Sequence, residues 1–275
     1  MISCELMGGL GNQLFQIFMT ISYAIKHRQP FKFLYKDFLH DRPTYWNTFL
    51  SSLKMFTTNS VPKFHLIREN GFKFQEIPGP NNNENVSLFG YFQSHKYFEE
   101  HWNTIVRLIR LEQQKDAVKE QYNHNYDNIV SMHFRLGDYK YKQDCHPLMK
   151  YEYYRNSIQH IIDRTENNKL KILYFCEKED VELVQIIIDR LQNNFPDIRF
   201  VKIDNDIVDW VQMLMMSLCR HNIIANSTFS WWGAYFNSRE DKIVCYPDVW
   251  FGPTLAKTDL RDLFPETWTK ISSDE

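Results

Sequence analysis

The sequence predicts an α/β protein with two lobes, of which the second carries a parallel, Rossmann-like sheet. Strand-like and helix-like segments alternate through the second half of the 275-residue chain, as in proteins built on parallel sheets. Only nine glycines occur, yet Gly8, Gly9 and Gly11 lie within four residues, directly after a strand-like segment. The length suits two compact lobes, and we expect them to span residues 1–125 and 126–275.

The first lobe is predicted to begin with a strand at residues 2–7, which runs into the glycine-rich loop. Asn12 is expected to cap the following helix, whose apolar residues recur at intervals of three and four. Residues 41–85 carry no clear period, and the polar stretch 112–127 is expected to continue the preceding helix and link the lobes. The remaining elements expected here are strands at 31–35 and 86–92 and an amphipathic helix at 97–111.

The second lobe alternates more regularly. Strands are predicted at residues 129–134, 171–176, 198–203, 222–225 and 242–246. Helical patterns lie between them, at residues 149–165, 178–194, 207–220 and 228–239. Ligands of such sheets bind beyond the carboxyl ends of the strands, so polar residues that directly follow a strand are the candidates for a binding site.

Composition and charge exclude several classes of protein. Lys and Arg number 32 against 34 Asp and Glu, which excludes a strongly basic nucleic-acid binder. The chain has neither a basic leader nor an apolar run of membrane-spanning length, so we expect a cytoplasmic protein without an integral membrane span. Its five cysteines lack CxxC or Cys/His metal spacing, which predicts buried free thiols and no metal site.

The glycine-rich loop GGLGNQ, residues 8–13, stands between a predicted strand and a predicted helix. Glycines there let backbone amides approach a ligand closely, and a helix N-terminus favours anionic groups. The loop is neither a dinucleotide-binding G-x-G-x-x-G motif nor a Walker loop. A tight turn without a ligand is the alternative interpretation.

A second motif, HFRLGD at residues 133–138, ends the most regular strand of the second half. Strand alternation places His133 and Arg135 on the same face. A guanidinium at this position can hold a diphosphate through two parallel hydrogen bonds and stabilise its charge as it departs. The alternative is a surface ion pair between Arg135 and Asp138.

The third motif begins at Asn226, where an apolar strand gives way to a helix. Asn226, Ser227 and Thr228 can cap that helix and can also receive phosphate oxygens, and capping alone is the alternative. Trp231 and Trp232 are expected to be core residues rather than platforms for a sugar. Together the three strand-end motifs predict a phosphorylated or nucleotide ligand in a cleft between two α/β lobes.

Four segments in this order resemble the α-1,2-fucosyltransferases of glycosyltransferase family eleven: GGLGNQLFQ (8–16), GYFQS (90–94), HFRLGDY (133–139) and NSTFSWW (226–232). The resemblance spans roughly residues 1–250. It implies a GT-B fold, with the active site in the cleft between two Rossmann-like lobes. It also implies GDP-L-fucose as the donor, inverting transfer of fucose to the 2-hydroxyl of an acceptor sugar, typically galactose, and no requirement for a metal or other cofactor.

The resemblance also implies roles for individual residues. Arg135 would bind the donor pyrophosphate, with support from His133, and the GDP pocket would be lined by Asn226, Ser227, Thr228 and Phe229. From the first lobe, the donor would be covered by Gly9, Gly11 and Asn12. Tyr91 and Gln93 would lie toward the acceptor, and the candidates for the general base are Asp138 and His133.

Two departures from the family pattern affect the donor side. Leu136 stands where the family usually has a second arginine, and Gln212 where it often has an acid, for which Asp209 can substitute. Two alternatives stay open: a fucosyltransferase of another linkage or acceptor, and an inactive glycan-binding module of the same fold. The largely intact donor motifs favour an enzyme.

Overall fold

The computed structural model describes residues 1–60, 62–81 and 84–274. The chain divides into two compact units, one formed by Met1–Gln114 with Thr258–Pro265, the other by Lys115–Lys257 with Glu266–Glu275. The boundary differs from the expected one at residue 125, because Lys115 is buried in the second unit, where its ammonium group donates to the Phe236 carbonyl. No motif or hydrophobic period predicts that residues 258–265 belong to the first unit.

The first unit contains a three-stranded parallel sheet with the order β1-β7-β6, and two short two-stranded sheets that pair β2 with β5 and β3 with β4. Its strands are β1 (Ile2–Cys4), β2 (Phe33–Leu34), β3 (Phe38–Leu39), β4 (Arg42–Pro43), β5 (Thr57–Thr58), β6 (His65–Arg68) and β7 (Val86–Phe89). The helices up to the boundary between the units are α1 (Leu10–Lys26), α2 (Trp102–Leu108) and the start of α3 (Leu111–Gln121).

The prediction that Asn12 caps the first helix was wrong. The helix begins at Leu10 with Gly9 at its N-cap, and no side chain caps it, so Asn12 lies inside the first turn. The cause is Gly8, whose φ of +76° turns the chain before Asn12 is reached. The expected helix at 97–111 is likewise interrupted, because Arg110 adopts a φ of +53° between α2 and α3.

The second unit is a six-stranded sheet in which all neighbouring strands are parallel. Its strands are β8 (Ile129–His133), β9 (Lys171–Phe175), β10 (Arg199–Lys202), β11 (His221–Ile223), β12 (Val244–Pro247) and β13 (Thr269–Ile271), and its helices are α4 (Tyr151–Thr165), α5 (Val181–Asn194), α6 (Asp209–Leu218) and α7 (Thr228–Tyr235). The predicted α/β class and the predicted strands and helices of this half are confirmed, and only β13 was missed.

The strand order β10-β9-β8-β11-β12-β13 determines where a ligand can bind. The chain runs outward from β8 in one direction and then restarts at β11 on its other side. In open α/β sheets, the loops that diverge at such a switch point form the binding crevice at the carboxyl ends of the strands. The second and third sequence motifs follow β8 and β11 directly.

Burial confirms two further predictions. Trp231 and Trp232 are fully buried, as expected for core residues. All five cysteines are free thiols, and four of them are buried: Cys4, Cys176, Cys219 and Cys245.

Candidate active site

The loops after β8 and β11 meet at the switch point of the second sheet. The Tyr139 hydroxyl donates to the Asn226 carbonyl at 3.4 Å, and the rings of His133 and Phe229 are 5.5 Å apart. The structure therefore brings the second and third motifs together, although 87 residues separate Tyr139 from Asn226 along the chain.

Arg135 lies at the centre of this arrangement. Its guanidinium pairs with Asp138 at 2.5 Å and with Glu177, which follows β9. The Tyr139 ring packs against the same group, with the ring centroid 4.8 Å from the guanidinium carbon. The Arg135–Asp138 ion pair left open as an alternative is thus present. A guanidinium has five N–H donors, so these pairings leave donors for a phosphate.

The backbone beyond Arg135 is held by contacts that the motif itself does not reveal. Gly137 adopts a φ of +40°, and its N–H donates to Asp180 at 2.7 Å. A Cβ atom at Gly137 would lie 2.6 Å from the Glu177 carboxylate, so a side chain there would displace Glu177 in addition to straining the backbone. Leu136 packs into the hydrophobic core, which explains why an apolar residue can replace the family's second arginine: a charge at that position would be buried.

His133 is a neutral imidazole. Burial, with a smaller contribution from the positive charge of Arg135, lowers its pKa from 6.5 to about 3. Its Nδ1 atom is buried and has no hydrogen-bond partner among the described residues. His133 can therefore offer a ligand a neutral hydrogen bond, but near pH 7 it is a very weak base.

The third motif combines capping with a second unpartnered polar atom. The Ser227 hydroxyl accepts the Phe229 N–H at 3.3 Å and caps α7, so the capping alternative is also present. The Asn226 amide donates to the carbonyls of Pro147 and Trp250, which fixes its orientation. Its Oδ1 is buried without a hydrogen-bond partner in the described part of the chain, and Thr228 begins the helix.

Two lysines at the opposite end of α7 complement the polarity of this helix. Lys242 donates to the carbonyls of Ala234 and Asn237, and Lys115 donates to that of Phe236. Burial, followed by the nearby charge of Lys115, lowers the pKa of Lys242 to about 8. Cations at the C-terminus of a helix stabilise its dipole, so these two lysines favour α7, whose N-terminus follows β11 at the switch point.

In the first unit, amide side chains fix the glycine-rich loop. The Gln13 amide donates to the carbonyls of Gly8 and Pro43, at 3.0 and 2.8 Å. Gln16 accepts the Met7 N–H at 2.8 Å and donates back to the Met7 carbonyl. A Cβ atom at Gly9 would meet nothing within 4 Å. These hydrogen bonds hold the turn, and Gly9 and Gly11 lie at the start of α1.

Gln93, predicted to lie toward the acceptor, contacts the glycine-rich motif. Its side-chain amide donates to Asn12 Oδ1 at 2.9 Å. The turn that carries Tyr91 is held by Glu69, whose carboxylate accepts the N–H groups of Tyr91 and Phe92. Burial raises the pKa of Glu69 above 4.5, while these two hydrogen bonds act in the opposite direction.

Sequence reasoning missed Glu69, Glu177 and Asp180. Glu177 and Asp180 follow the predicted strand 171–176, and this position at a strand end was a usable signal. Glu69 had no such signal, because three of the four residues of β6 are exposed and the strand shows no apolar alternation. Gln212, which stands where the family often has an acid, donates its side-chain amide to the Ile207 carbonyl at 2.6 Å.

The sequence profile of glycosyl transferase family 11 matches residues 60–272, about three quarters of the chain. The protein belongs to this family. The matched range contains the Tyr91, Arg135 and Asn226 motifs, while the glycine-rich loop precedes it. Membership of this family implies glycosyltransferase activity. The substrates of such an enzyme are a nucleotide-sugar donor and a glycan acceptor.

Two curated relatives come from Escherichia coli. An α-1,2-colitosyltransferase is 27% identical over 98% of both chains. The O-antigen biosynthesis glycosyltransferase WbnK is 27% identical over 80% of this chain and 73% of its own length.

Two solved glycosyltransferase structures show a distant likeness. A family 9 enzyme from Veillonella parvula aligns over 98% of this chain and 85% of its own, with 10% identity and a TM-score of 0.48. The Escherichia coli ADP-heptose lipopolysaccharide heptosyltransferase II aligns over 58% of this chain and 43% of its own, with 13% identity and a TM-score of 0.37.

Residues 1–60, 62–81 and 84–274 contain neither a membrane-spanning helix nor a cluster of metal ligands. None of the helices in these ranges is both long and apolar enough to cross a membrane. In the same ranges, His, Cys, Asp and Glu side chains do not form a group of three or more that could hold a metal ion.

Proposed function

We propose that the protein is an inverting α-1,2-fucosyltransferase. It would transfer L-fucose from GDP-β-L-fucose to the 2-hydroxyl of an acceptor sugar, with galactose as the expected acceptor. The observation that carries the proposal is the position of Arg135. Its guanidinium follows the first strand of a doubly wound sheet, at the switch point where such folds bind nucleotides, and the capped N-terminus of α7 lies in the neighbouring loop.

Transfer forms one bond and breaks another at the anomeric carbon of fucose. The acceptor 2-hydroxyl oxygen attacks this carbon while the bond to the β-phosphate oxygen breaks, and the electron pair of that bond leaves with GDP. Negative charge therefore builds on the diphosphate as the sugar becomes cationic. Arg135 and the amides at the start of α7 are placed to stabilise that charge, which is the kind of interaction that accelerates a reaction.

The hydroxyl proton requires a base, and the candidates differ in strength. His133, with a pKa of about 3, is too weak to accept this proton near pH 7. We therefore assign it a neutral hydrogen bond to the donor, made through the buried Nδ1. Asp138 accepts from Arg135 and from Lys142, and it remains the better candidate of the two.

A second candidate donor comes from the full-length relative that is named an α-1,2-colitosyltransferase. Colitose differs from L-fucose only in lacking the 3-hydroxyl group. A single hydroxyl contact therefore separates the two donors, and a site built to hydrogen-bond a hydroxyl discriminates strongly against an analogue that lacks it.

The test is transfer by the purified protein from a panel of donors, with EDTA present throughout. GDP-fucose and GDP-colitose are each offered with a galactose-terminated acceptor, GDP release is measured, and the linkage of the product is read by NMR. We expect turnover with GDP-fucose, a 1,2-linked product with an inverted anomeric centre, and no dependence on metal.

The alternatives predict different results. Turnover with GDP-colitose but not with GDP-fucose would show that the donor sugar is colitose. A product with another linkage would show a fucosyltransferase of different regiochemistry. GDP-fucose binding without turnover across a broad panel of acceptors would favour the inactive glycan-binding module.

A further inference from the structure

Two carboxylates outside the recognised motifs contact the Arg135 loop, which we define as residues 134–141. Both come from the segment that connects β9 to α5. Glu177 pairs with the guanidinium of Arg135. Asp180 is fully buried, and it accepts the Gly137 N–H at 2.7 Å and the ammonium group of Lys140 at 2.6 Å.

We propose that Asp180 and Glu177 are positioning residues for the nucleotide donor. Asp180 fixes the backbone of the Arg135 loop, and Glu177 fixes the orientation of the guanidinium at its end. The proposal rests on the proposed function, because it takes Arg135 to be the group that receives the diphosphate.

The burial of Asp180 makes it an effective anchor. An ionised carboxylate inside a protein is costly unless it is paired and hydrogen-bonded. Here one carboxylate oxygen is used by Gly137 and the other by Lys140. The Arg135 loop cannot move away without leaving a buried charge unpaired, so the left-handed backbone at Gly137 is held in place.

Glu177 acts on the side chain instead. Its carboxylate is about half exposed, with 47% of the side chain accessible, so this ion pair contributes little to stability. It does fix geometry: Glu177 and Asp138 bind different terminal nitrogens of Arg135, and the Tyr139 ring packs against the guanidinium. The plane of the Arg135 guanidinium is therefore fixed before a diphosphate binds, which lowers the entropic cost of binding.

The first experiment compares Asp180 with a matched aspartate in the other unit. Asp262 is also buried and also accepts one backbone N–H and one lysine, from Phe74 at 3.1 Å and Lys96 at 2.6 Å. GDP affinity is measured by calorimetry, donor KM and kcat by GDP release with an acceptor, and stability by thermal unfolding.

Because the Asp180→Asn variant keeps an acceptor oxygen for Gly137 but loses the charge opposite Lys140, we expect GDP affinity and kcat/KM to fall about tenfold. Asp180→Ala loses both contacts and should cost about a hundredfold. The Asp262 variants should lose comparable thermal stability while GDP affinity stays within about twofold. If both aspartates changed GDP affinity equally for equal losses of stability, Asp180 would be merely structural.

The second experiment separates positioning from competition at Glu177. Since a positioning residue improves donor binding, Glu177→Ala should weaken GDP binding about fivefold, and Glu177→Gln should recover part of it. Glu179→Ala removes the same charge from a neighbouring exposed side chain and serves as the control. Tighter GDP binding or a lower donor KM in Glu177→Ala would show a competing anion and overturn the proposal.

GDP binding also separates the two proposals. If Arg135→Ala leaves GDP affinity unchanged, the proposed donor site itself is wrong. If Arg135→Ala abolishes GDP binding while the Asp180 and Glu177 variants bind normally, only the positioning roles fail. If Asp180→Ala does not fold, the GDP affinities of the Asp180→Asn and Glu177→Gln variants test the positioning roles instead.

Discussion

The carboxyl edges of the two main sheets are built from different chemistry. In the second unit the edge is ionic, with Arg135, Asp138, Glu177 and Asp180 joined by ion pairs and charge-assisted hydrogen bonds. In the first unit the glycine-rich loop is held by neutral amides, chiefly those of Gln13, Gln16 and Gln93, although the neighbouring turn is held by the Glu69 carboxylate. Charged groups suit a diphosphate, whereas neutral amides suit the hydroxyl groups of a sugar.

The comparison predicts that substitutions at the ionic edge act on the donor and on turnover, while substitutions at the neutral edge have smaller effects. The largest effect is expected for Arg135→Ala, which removes the charge opposite the leaving diphosphate and should lower kcat roughly 10²- to 10³-fold. Arg135→Lys should recover only part of the loss, because an ammonium group cannot bind in two parallel bonds. Steady-state GDP release measures both.

Arg199, an exposed residue of the edge strand β10, provides the matched control. Arg199→Ala removes the same charge from the same unit and should leave kcat unchanged. Near-normal turnover in a folded Arg135→Ala protein would remove the contrast between the two edges.

A smaller effect is expected for Gly137→Ala. The φ of +40° is strained for alanine, and the new Cβ atom would press on the Glu177 carboxylate. We expect a loss of about 1–2 kcal/mol in the free energy of unfolding and about a tenfold loss of kcat/KM. Gly71 has a φ of +84° with nothing within 4 Å of its added Cβ, so Gly71→Ala should show the stability loss alone. Equal kinetics for the two variants would count against a role for the loop.

At the neutral edge, Gln93→Ala removes the 2.9 Å hydrogen bond to Asn12. Because one neutral hydrogen bond is worth about 1 kcal/mol, we expect roughly a fivefold rise in acceptor KM, with a smaller rise in donor KM through the loss of support for Asn12. Gln75→Ala, which removes a similar amide-to-carbonyl bond to Asn70, is the control. A change confined to donor KM in Gln93→Ala would reverse the assignment of the two edges.

The pH dependence of stability gives the last prediction. Burial lowers the pKa of His133 to about 3 and that of His221 to about 4, both below the unfolded value near 6.5. The unfolded chain therefore binds more protons below pH 6.5, so stability must fall on acidification through this range. At pH 5 each histidine should cost about 2 kcal/mol relative to pH 7.

Denaturant unfolding at pH 7 and pH 5 measures this loss, and His133→Gln should reduce it by about 2 kcal/mol. An unchanged pH slope in that variant would mean that His133 is accessible to protons in the folded protein.

Much of the second unit was predictable from sequence, and less of the first. In the second unit, buried strands such as β8 alternate with amphipathic helices. Each element can therefore be recognised from the spacing of its apolar residues. In the first unit, β6 is mostly exposed. The helix before the boundary is interrupted at Arg110, and no glycine or proline at that position predicts the interruption. Likewise, Arg135 could be proposed from its motif. Asp180 could not be assigned a partner, because its contacts cross 43 residues of chain.

Residues 258–265 follow most of the second unit in sequence but belong to the first unit. This connection affects when each unit can finish folding during synthesis. Asp262 binds Lys96 and the Phe74 backbone, contacts that cannot form until residue 262 has been synthesised. The strand β13, at residues 269–271, likewise completes the edge of the second sheet. Both units are therefore incomplete in a chain that stops at residue 257, and limited proteolysis should degrade that truncated chain faster than a chain containing residues 1–275.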